Sequence, residues 1–264
     1  MNYTVSTMSL AAMLFTLLFS IILPLGLFIF FWKKKGCDTK PFFVGCIMMF
    51  VVGLILKPMA SSLLLSTGLG SVLQENIWVY AVYGGLLAAL FEETGHYLAF
   101  RFFLKDNRDD NNNALMYGVG HAGLEVFYIL FLGMIGNLFM AMMMNSGTMA
   151  ASMEGMTAEN IAQLEASMVA LAETSPLLYL ASIVERLAEV VLQMSLAVLV
   201  WFAVKDGKKN RWLYPAAILI HMVTDAIAVI CNDLTDSVIV IIAVLWILAL
   251  AVAAFAVKTY RENK

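Results

Sequence analysis

Seven long apolar runs divide this chain, and each is long enough to cross a bilayer as an α-helix. They lie near residues 8–32, 41–65, 77–104, 114–142, 176–204, 212–231 and 236–257. About 20 predominantly apolar residues span the hydrocarbon core as helix. Of all residues, 62% are apolar and only 13% are charged, far from the balance of a soluble domain. The sequence therefore predicts an all-α, polytopic transmembrane helix bundle of seven spans, and it excludes a water-soluble enzyme or a disordered scaffold.

Basic residues indicate how these spans are oriented. Lys57 and Arg186 lie inside apolar runs, and the other Lys and Arg residues lie in segments 33–40, 101–110, 205–211 and 258–264. Short loops rich in Lys and Arg stay on the cytoplasmic side, so we expect the N-terminus outside and the C-terminus in the cytoplasm. Because proline disrupts a helix, Lys57-Pro58 is interpreted as a kink or end of the second span. The net charge of −3 offers no polycation to a nucleic acid, which is therefore not an expected partner.

One long segment between the fourth and fifth runs, around residues 145–175, carries acidic side chains and no base. Apolar residues recur within it at helical spacing, namely Ile161, Leu164, Met168 and Leu171. This pattern predicts a short amphipathic helix on the outer face of the membrane. We expect a single integral membrane domain over residues 1–264, with this outer loop and helix as part of it.

Ionisable residues inside the predicted spans are unusually numerous, and they include all three histidines of the chain. Such residues are costly in lipid and usually face a bundle interior, where they are paired or functional. Residues four apart share one helical face, and four pairs have this spacing: Glu92 and His96, His121 and Glu125, Glu185 and Glu189, and His221 and Asp225. Glu92, His121 and His221 fall roughly 11 to 18 Å from the cytoplasmic helix ends. We therefore expect them to meet in a polar cavity in the cytoplasmic half of the bilayer.

Several of these groups also have a structural interpretation. Arg186 is expected to pair with a carboxylate on another helix, as a structural ion pair. Glu125 is a candidate to hold His121 in one tautomer, and Asp225 is a candidate to do the same for His221. These interpretations stay open beside the functional one.

Carboxylates beside histidines offer two routes to the hydrolysis of a peptide bond. In the first, Glu92 or Glu93 deprotonates a water that attacks an amide carbonyl, and a histidine with Asp225 stabilises the oxyanion or protonates the leaving amine. This route requires no cofactor. In the second, His121, His221 and one glutamate hold a catalytic Zn²⁺ ion. The chain contains no His-Glu-x-x-His string, so support for zinc is indirect.

Four motifs on separate spans carry a resemblance to a known family. They are Phe91–Tyr97, Tyr117–Glu125, Glu185-Arg186 and His221-x-x-x-Asp225. They resemble the YhfC family of bacterial membrane proteins, which is similar to the CAAX-protease and bacteriocin-processing (CPBP, Abi) peptidases and to PrsW-type proteases. The resemblance implies an intramembrane endopeptidase with several spans in the bacterial plasma membrane, acting on a membrane-embedded peptide or protein.

The resemblance also implies roles for individual residues. The residues in the catalytic positions are Glu92, Glu93, His121, His221 and Asp225. Supporting roles are expected for His96, Glu125, Glu185, Arg186, Glu189 and Gln193. Among them, His96 stands where the wider group usually has arginine, and Gln193 stands where a histidine is expected. The group is described both as glutamic-type proteases and as metalloproteases; the glutamic type is the preferred interpretation, with Zn²⁺ at His121 and His221 as the alternative.

Two functions of other classes also fit intramembrane carboxylates and histidines. A proton- or ion-coupled transporter uses such groups as a relay, although the chain shows no internal repeat of the kind many transporters have. A non-catalytic membrane sensor or immunity-type protein would use the cluster for structure alone. A cleavage assay, a flux assay and the folding of cluster variants distinguish the three. The sequence gives no prediction of the oligomeric state.

Overall fold

The computed structural model of the protein describes residues 3–206 and 208–263. Every regular element in this part of the chain is a helix, so the all-α prediction is confirmed. Four residues of the predicted range 1–264 lie outside the described residues: Met1, Asn2, Gly207 and Lys264. Lys264 is one of the basic residues on which the orientation of the last span was predicted.

The helices follow one another in chain order. They are α1 (Thr7–Lys35), α2 (Lys40–Leu65), α3 (Leu69–Glu75), α4 (Ile77–Leu98), α5 (Asn112–Ser146), α6 (Met149–Ser152), α7 (Ala158–Glu173), α8 (Pro176–Lys205), α9 (Leu213–Leu234) and α10 (Val238–Glu262). Helix α2 contains a π-helical stretch over Met49–Leu56, α5 contains another over Phe127–Phe131, and α4 continues as π-helix over Ala99–Phe103.

Each of the seven predicted apolar runs coincides with a helix. Within the described residues, six helices are long and apolar enough to cross a membrane: α1, α2, α5, α8, α9 and α10. The remaining run, 77–104, coincides with α4, whose 22 residues include Glu92, Glu93 and His96. These polar side chains lower its mean hydropathy, which is why length and composition alone do not identify it as a span. A crossing by α4, and the orientation of all the spans, stay predictions.

The chain divides into two compact units, the first of which comprises Met1–Leu23 and Val126–Val184. In this unit the side chain of Asn145 bonds the backbone of Val5 twice, by accepting from its N–H and donating to its carbonyl. Helix α7 falls within the segment predicted as an amphipathic outer helix, and it buries Met168 and Leu171. The single-domain prediction, and the outer position of α7, stay predictions.

The second unit comprises Pro24–Glu125 and Glu185–Lys264, and it contains every predicted site residue. Its core is built on α8, where the segment 196–204 is buried along its whole length. Helices α4 and α9 lie very close together, because Gly85 has no side chain to separate them. A Cβ atom at Gly85 would lie 2.5 Å from the carbonyl oxygen of Met222 in α9. This close approach is what brings the polar residues of α4 and α9 within hydrogen-bonding range.

Candidate active site

The two adjacent glutamates of α4 lie at the centre of a buried polar cluster. Glu92 is 3% exposed and Glu93 is fully buried, as is His96 one turn later. Helix α5 contributes His121 and α9 contributes His221, which are also buried. We call these five residues the histidine cluster. The structure thus brings together the glutamates and histidines that the sequence placed on separate helices; their catalytic roles stay predictions.

The carboxylate of Glu92 has a different partner on each oxygen. Lys57 Nζ donates to Oε1 at 2.6 Å, and Gln193 Nε2 donates to Oε2 at 3.1 Å. His121 Nε2 lies 3.5 Å from the same Oε2 atom. Side chains from α2, α5 and α8 therefore meet the carboxylate of Glu92 on α4. The hydrogen bonds from Lys57 and Gln193 fix this carboxylate in position, whereas His121 lies beside it without forming a hydrogen bond.

The carboxylate of Glu93 joins two histidines. Its Oε2 lies 3.1 Å from His96 Nδ1, and its Oε1 lies 2.8 Å from His221 Nδ1. On the other side of the His221 ring, Nε2 is 3.5 Å from Asp225 Oδ2. Carboxylates thus flank both nitrogens of His221, which orients the ring in the way proposed for Asp225 from the sequence. His96 supplies a second partner for Glu93.

Arg186 belongs to a separate group of charges, which we call the arginine cluster (Glu125, Glu185 and Arg186). Its guanidinium lies 2.5 Å from its neighbour Glu185 and 3.8 Å from Glu125 on α5. As predicted, Arg186 contacts a carboxylate of another helix, Glu125, but its shorter contact is with the adjacent Glu185, which was not predicted. The predicted contact between Glu125 and His121 is wrong, because His121 lies against Glu92 and Glu125 faces Arg186 instead.

A small cavity provides room for water beside Asp225, and no residue of the histidine cluster is among the described residues that line it. The polar cavity expected around Glu92, His121 and His221 therefore stays a prediction. The small cavity has a volume of about 30 Å³, and its polar lining comprises Glu185, Glu189, Thr224 and Asp225. One water requires roughly 10–15 Å³ of such space and two or more polar partners. The cavity therefore has the size and lining to hold water next to Asp225, whose side chain is 30% exposed.

Lys57 is the site residue that sequence reasoning missed. The sequence marked it as a lone base in an apolar run, but we interpreted it with Pro58 as a kink or helix end. The helix does not end there: the π-helical stretch passes into regular α-helix at Lys57, whose N–H donates to the carbonyl of Val52, five residues back. One signal in the sequence could have identified Lys57 as a site residue. A charged side chain is costly inside a membrane span, so a lysine there is expected to have an acidic partner.

The predicted zinc set is not assembled in the structure. No three His, Cys, Asp or Glu side chains of the described residues converge in a way that could hold a metal ion. His221 is engaged by Glu93 and Asp225, and a lysine ammonium already lies on Glu92. The donor types suit zinc, and His96 Nε2 and both ring nitrogens of His121 have no hydrogen-bond partner within the same residues. The types of donor therefore fit a metal, whereas their positions do not.

Comparison with known proteins places the chain in a family. Residues 19–246, which include the whole histidine cluster, match the family described as YhfC intramembrane metalloprotease. The protein called "Uncharacterized membrane protein YhfC" from Bacillus subtilis (strain 168) is 30% identical over 214 residues, or 80% of each chain. No solved structure gives a significant match. The membrane-protein relative and the six apolar helices support the predicted multi-pass location in the cell membrane. The chain therefore belongs to the YhfC intramembrane metalloprotease family.

Proposed function

We propose that the protein is an intramembrane endopeptidase in which Glu92 deprotonates the water that attacks a peptide bond of a membrane-embedded substrate. The single observation that carries this proposal is the arrangement of Glu92 and His121, buried side by side with 3.5 Å between Oε2 and Nε2. A water bound beside this pair would hydrogen-bond both groups, as a general base and its neighbour require. The family description supports peptidase activity as such.

Lys57 and Gln193 hold the base in place. Each donates to a different oxygen of Glu92, so the carboxylate cannot rotate freely between alternative positions. The ammonium also balances the negative charge of a carboxylate that is almost completely removed from solvent. A base that is already held in place loses less entropy when the reactive geometry forms, and this saving is the main contribution of positioning to catalysis.

Glu93 and Asp225 act through His221. Glu93 and Asp225 flank the two ring nitrogens of His221, so the imidazole is held in one orientation. Since Glu93 follows Glu92 directly in the chain, this contact also keeps His221 near the proposed base. Nδ1 is held by Glu93 at 2.8 Å, so the donor in this scheme is Nε2, whose contact with Asp225 is longer at 3.5 Å. Once substrate displaces Asp225, Nε2 donates a proton to the oxyanion or to the leaving amine, and Asp225 connects the ring to the water cavity. Glu93 is a positioning residue in this scheme, since both of its oxygens are occupied by histidines.

The experiment is a cleavage assay of the full-length protein in proteoliposomes, with a membrane-embedded reporter peptide, with and without a chelator. We expect cleavage by the unaltered protein, a loss of about 10²-fold or more in Glu92→Gln, and no loss in Glu159→Gln on the exposed surface of α7. Cleavage that survives the chelator supports the glutamate-activated water. Loss on chelation that is restored by Zn²⁺ would overturn it in favour of a metal-dependent reaction.

Two other outcomes would contradict peptidase activity itself. Proton or ion flux that depends on Glu92, without any cleavage, would identify a transporter. Glu92→Gln protein that fails to fold, in a chain that never cleaves the reporter, would identify a structural cluster. Two findings favour the metal-dependent alternative: the description of the family as metalloproteases, and the nitrogens of His96 and His121 that have no hydrogen-bond partner among the described residues.

A further inference from the structure

A second, larger cavity lies in the same unit and has no residue of the histidine cluster among the described residues that line it. Its volume is about 490 Å³, within the range of about 300–1,000 Å³ typical of small-molecule sites. Four helices form its wall: α1, α5, α8 and α10. Most of that wall is apolar and includes Phe31, Leu115, Val198 and Val257. The apolar lining of the cavity therefore suits a hydrocarbon chain better than a peptide backbone, whose polar groups would lack hydrogen-bond partners there.

The cavity extends inward from one end of the helices. Ala253, Val257 and Arg261 line it from a single face of α10, because they are four residues apart. From Ala253 to Arg261 the helix rises about 12 Å. Half of the hydrocarbon core of a bilayer is about 15 Å thick. The depth of the apolar wall thus corresponds to one leaflet.

Two cations lie at the rim of this cavity. Lys35 is the last residue of α1 and Arg261 lies in the last turn of α10; both are exposed. Neither forms an ion pair with a carboxylate of the described residues. Beside them the hydroxyl of Tyr260 donates to Asn112 Oδ1 at 3.0 Å. The rim therefore presents two cations that form no direct ion pair among the described residues, above an apolar wall and at the end of the bundle that the sequence predicts to be cytoplasmic.

We propose that this cavity binds an anionic phospholipid, with one acyl chain against the apolar wall and the phosphate headgroup between Lys35 and Arg261. Basic pockets between transmembrane helices recognise anionic headgroups in this way. A soluble phosphate would leave the apolar wall without an occupant.

The test is lipid binding by the delipidated full-length protein in detergent, measured by native mass spectrometry and by the unfolding temperature. The probes are phosphatidylglycerol, phosphatidylcholine with the same acyl chains, and inorganic phosphate. We expect one phosphatidylglycerol to bind and to raise the unfolding temperature, with little effect of the other two. The double variant Lys35→Gln, Arg261→Gln should bind it about 30-fold more weakly. Ala253→Phe, which fills the cavity, should also lose the effect.

A matched control removes the same charge elsewhere. Lys34 and Lys105 are exposed and do not line the cavity, so Lys34→Gln with Lys105→Gln should bind phosphatidylglycerol as the unaltered protein does. Equal binding of phosphatidylcholine, equal stabilisation by phosphate alone, or equal losses in both double variants would each overturn the proposal. None of these measurements uses cleavage, so the outcome is independent of the proposed peptidase activity.

Discussion

The histidine cluster and the arginine cluster use similar residues in neighbouring helices, but they differ in burial and in how completely their polar atoms are paired. In the histidine cluster the two glutamates are 3% and 0% exposed, and three imidazole nitrogens have no hydrogen-bond partner in the described part of the chain. In the arginine cluster the side chains are 15 to 38% exposed, and one guanidinium lies within 4 Å of both carboxylates. There a single buried atom, Glu125 Oε2, has no hydrogen-bond partner in the described part of the chain, against three in the histidine cluster. Unpaired buried donors and acceptors are expensive, which favours function for the first cluster and structure for the second.

The largest expected effect that separates the clusters is the loss of activity in His121→Ala. Removing the imidazole beside Glu92 takes away the second group that would hold the attacking water. We expect cleavage of the membrane reporter to fall about 10²- to 10⁴-fold, with little change in unfolding temperature. Full activity in this variant would show that the pairing of Glu92 with His121 has no catalytic role.

Arg186→Met tests the opposite expectation for the arginine cluster. Without the guanidinium, Glu125 loses the cation that the structure gives it, and Glu125 is only 15% exposed. We expect the free energy of unfolding to fall by about 3 kcal/mol, whereas activity per folded molecule changes less than in His121→Ala. Denaturation in detergent and a cleavage assay on the same preparations measure the two quantities. A loss of activity equal to that of His121→Ala, at unchanged stability, would place Arg186 in the reaction.

Lys57→Met sharpens the comparison from within the histidine cluster. Its ammonium lies 2.6 Å from Glu92 Oε1, but the lysine side chain is 29% exposed, so solvent weakens the interaction. We expect activity to fall about tenfold, equivalent to about 1.4 kcal/mol in the barrier, because the base is less firmly held. Lys57→Arg keeps a cation and is the matched control, which should retain more activity than the methionine variant. Equal activity in both variants would mean that the cation does not position Glu92.

Gly85→Ala is the smallest of these effects and tests the contact between α4 and α9 on which the histidine cluster depends. A methyl group there would lie 2.5 Å from the backbone oxygen of Met222, so the helices must separate. We expect a loss of about 1 kcal/mol in the free energy of unfolding. The adjacent Gly84 is the control, because a Cβ atom at that position meets nothing within 4 Å. Alanine at Gly84 should be neutral or slightly stabilising.

The sequence predicted the helices and the approach of the two glutamates of α4 to His121 and His221, because apolar length and i to i+4 spacing are local properties. It did not predict the partner of each side chain. Glu125 shares a helical face with His121, yet its carboxylate contacts Arg186. The partner of Glu125 depends on which side chain of α8 packs beside it, and the sequence of α5 alone does not determine that. For the same reason the zinc set could not be derived: residue type gives the donors, but only the packing of several helices decides whether they converge.

The π-helical stretch Met49–Leu56 carries a consequence for insertions and deletions in the second span. A π turn holds one residue more than an α turn, and in a regular α-helix each residue adds about 100° of rotation. Deleting a single residue from this stretch therefore returns it to regular α-helix, and the segment after it, with Lys57, keeps nearly the same angular position. A deletion in the regular α-helix before Met49 has no extra residue to remove, so it turns everything after it by about 100° and swings the Lys57 ammonium away from the Glu92 carboxylate. The second span therefore tolerates the loss of a residue inside the π-helical stretch better than in the α-helix that precedes it.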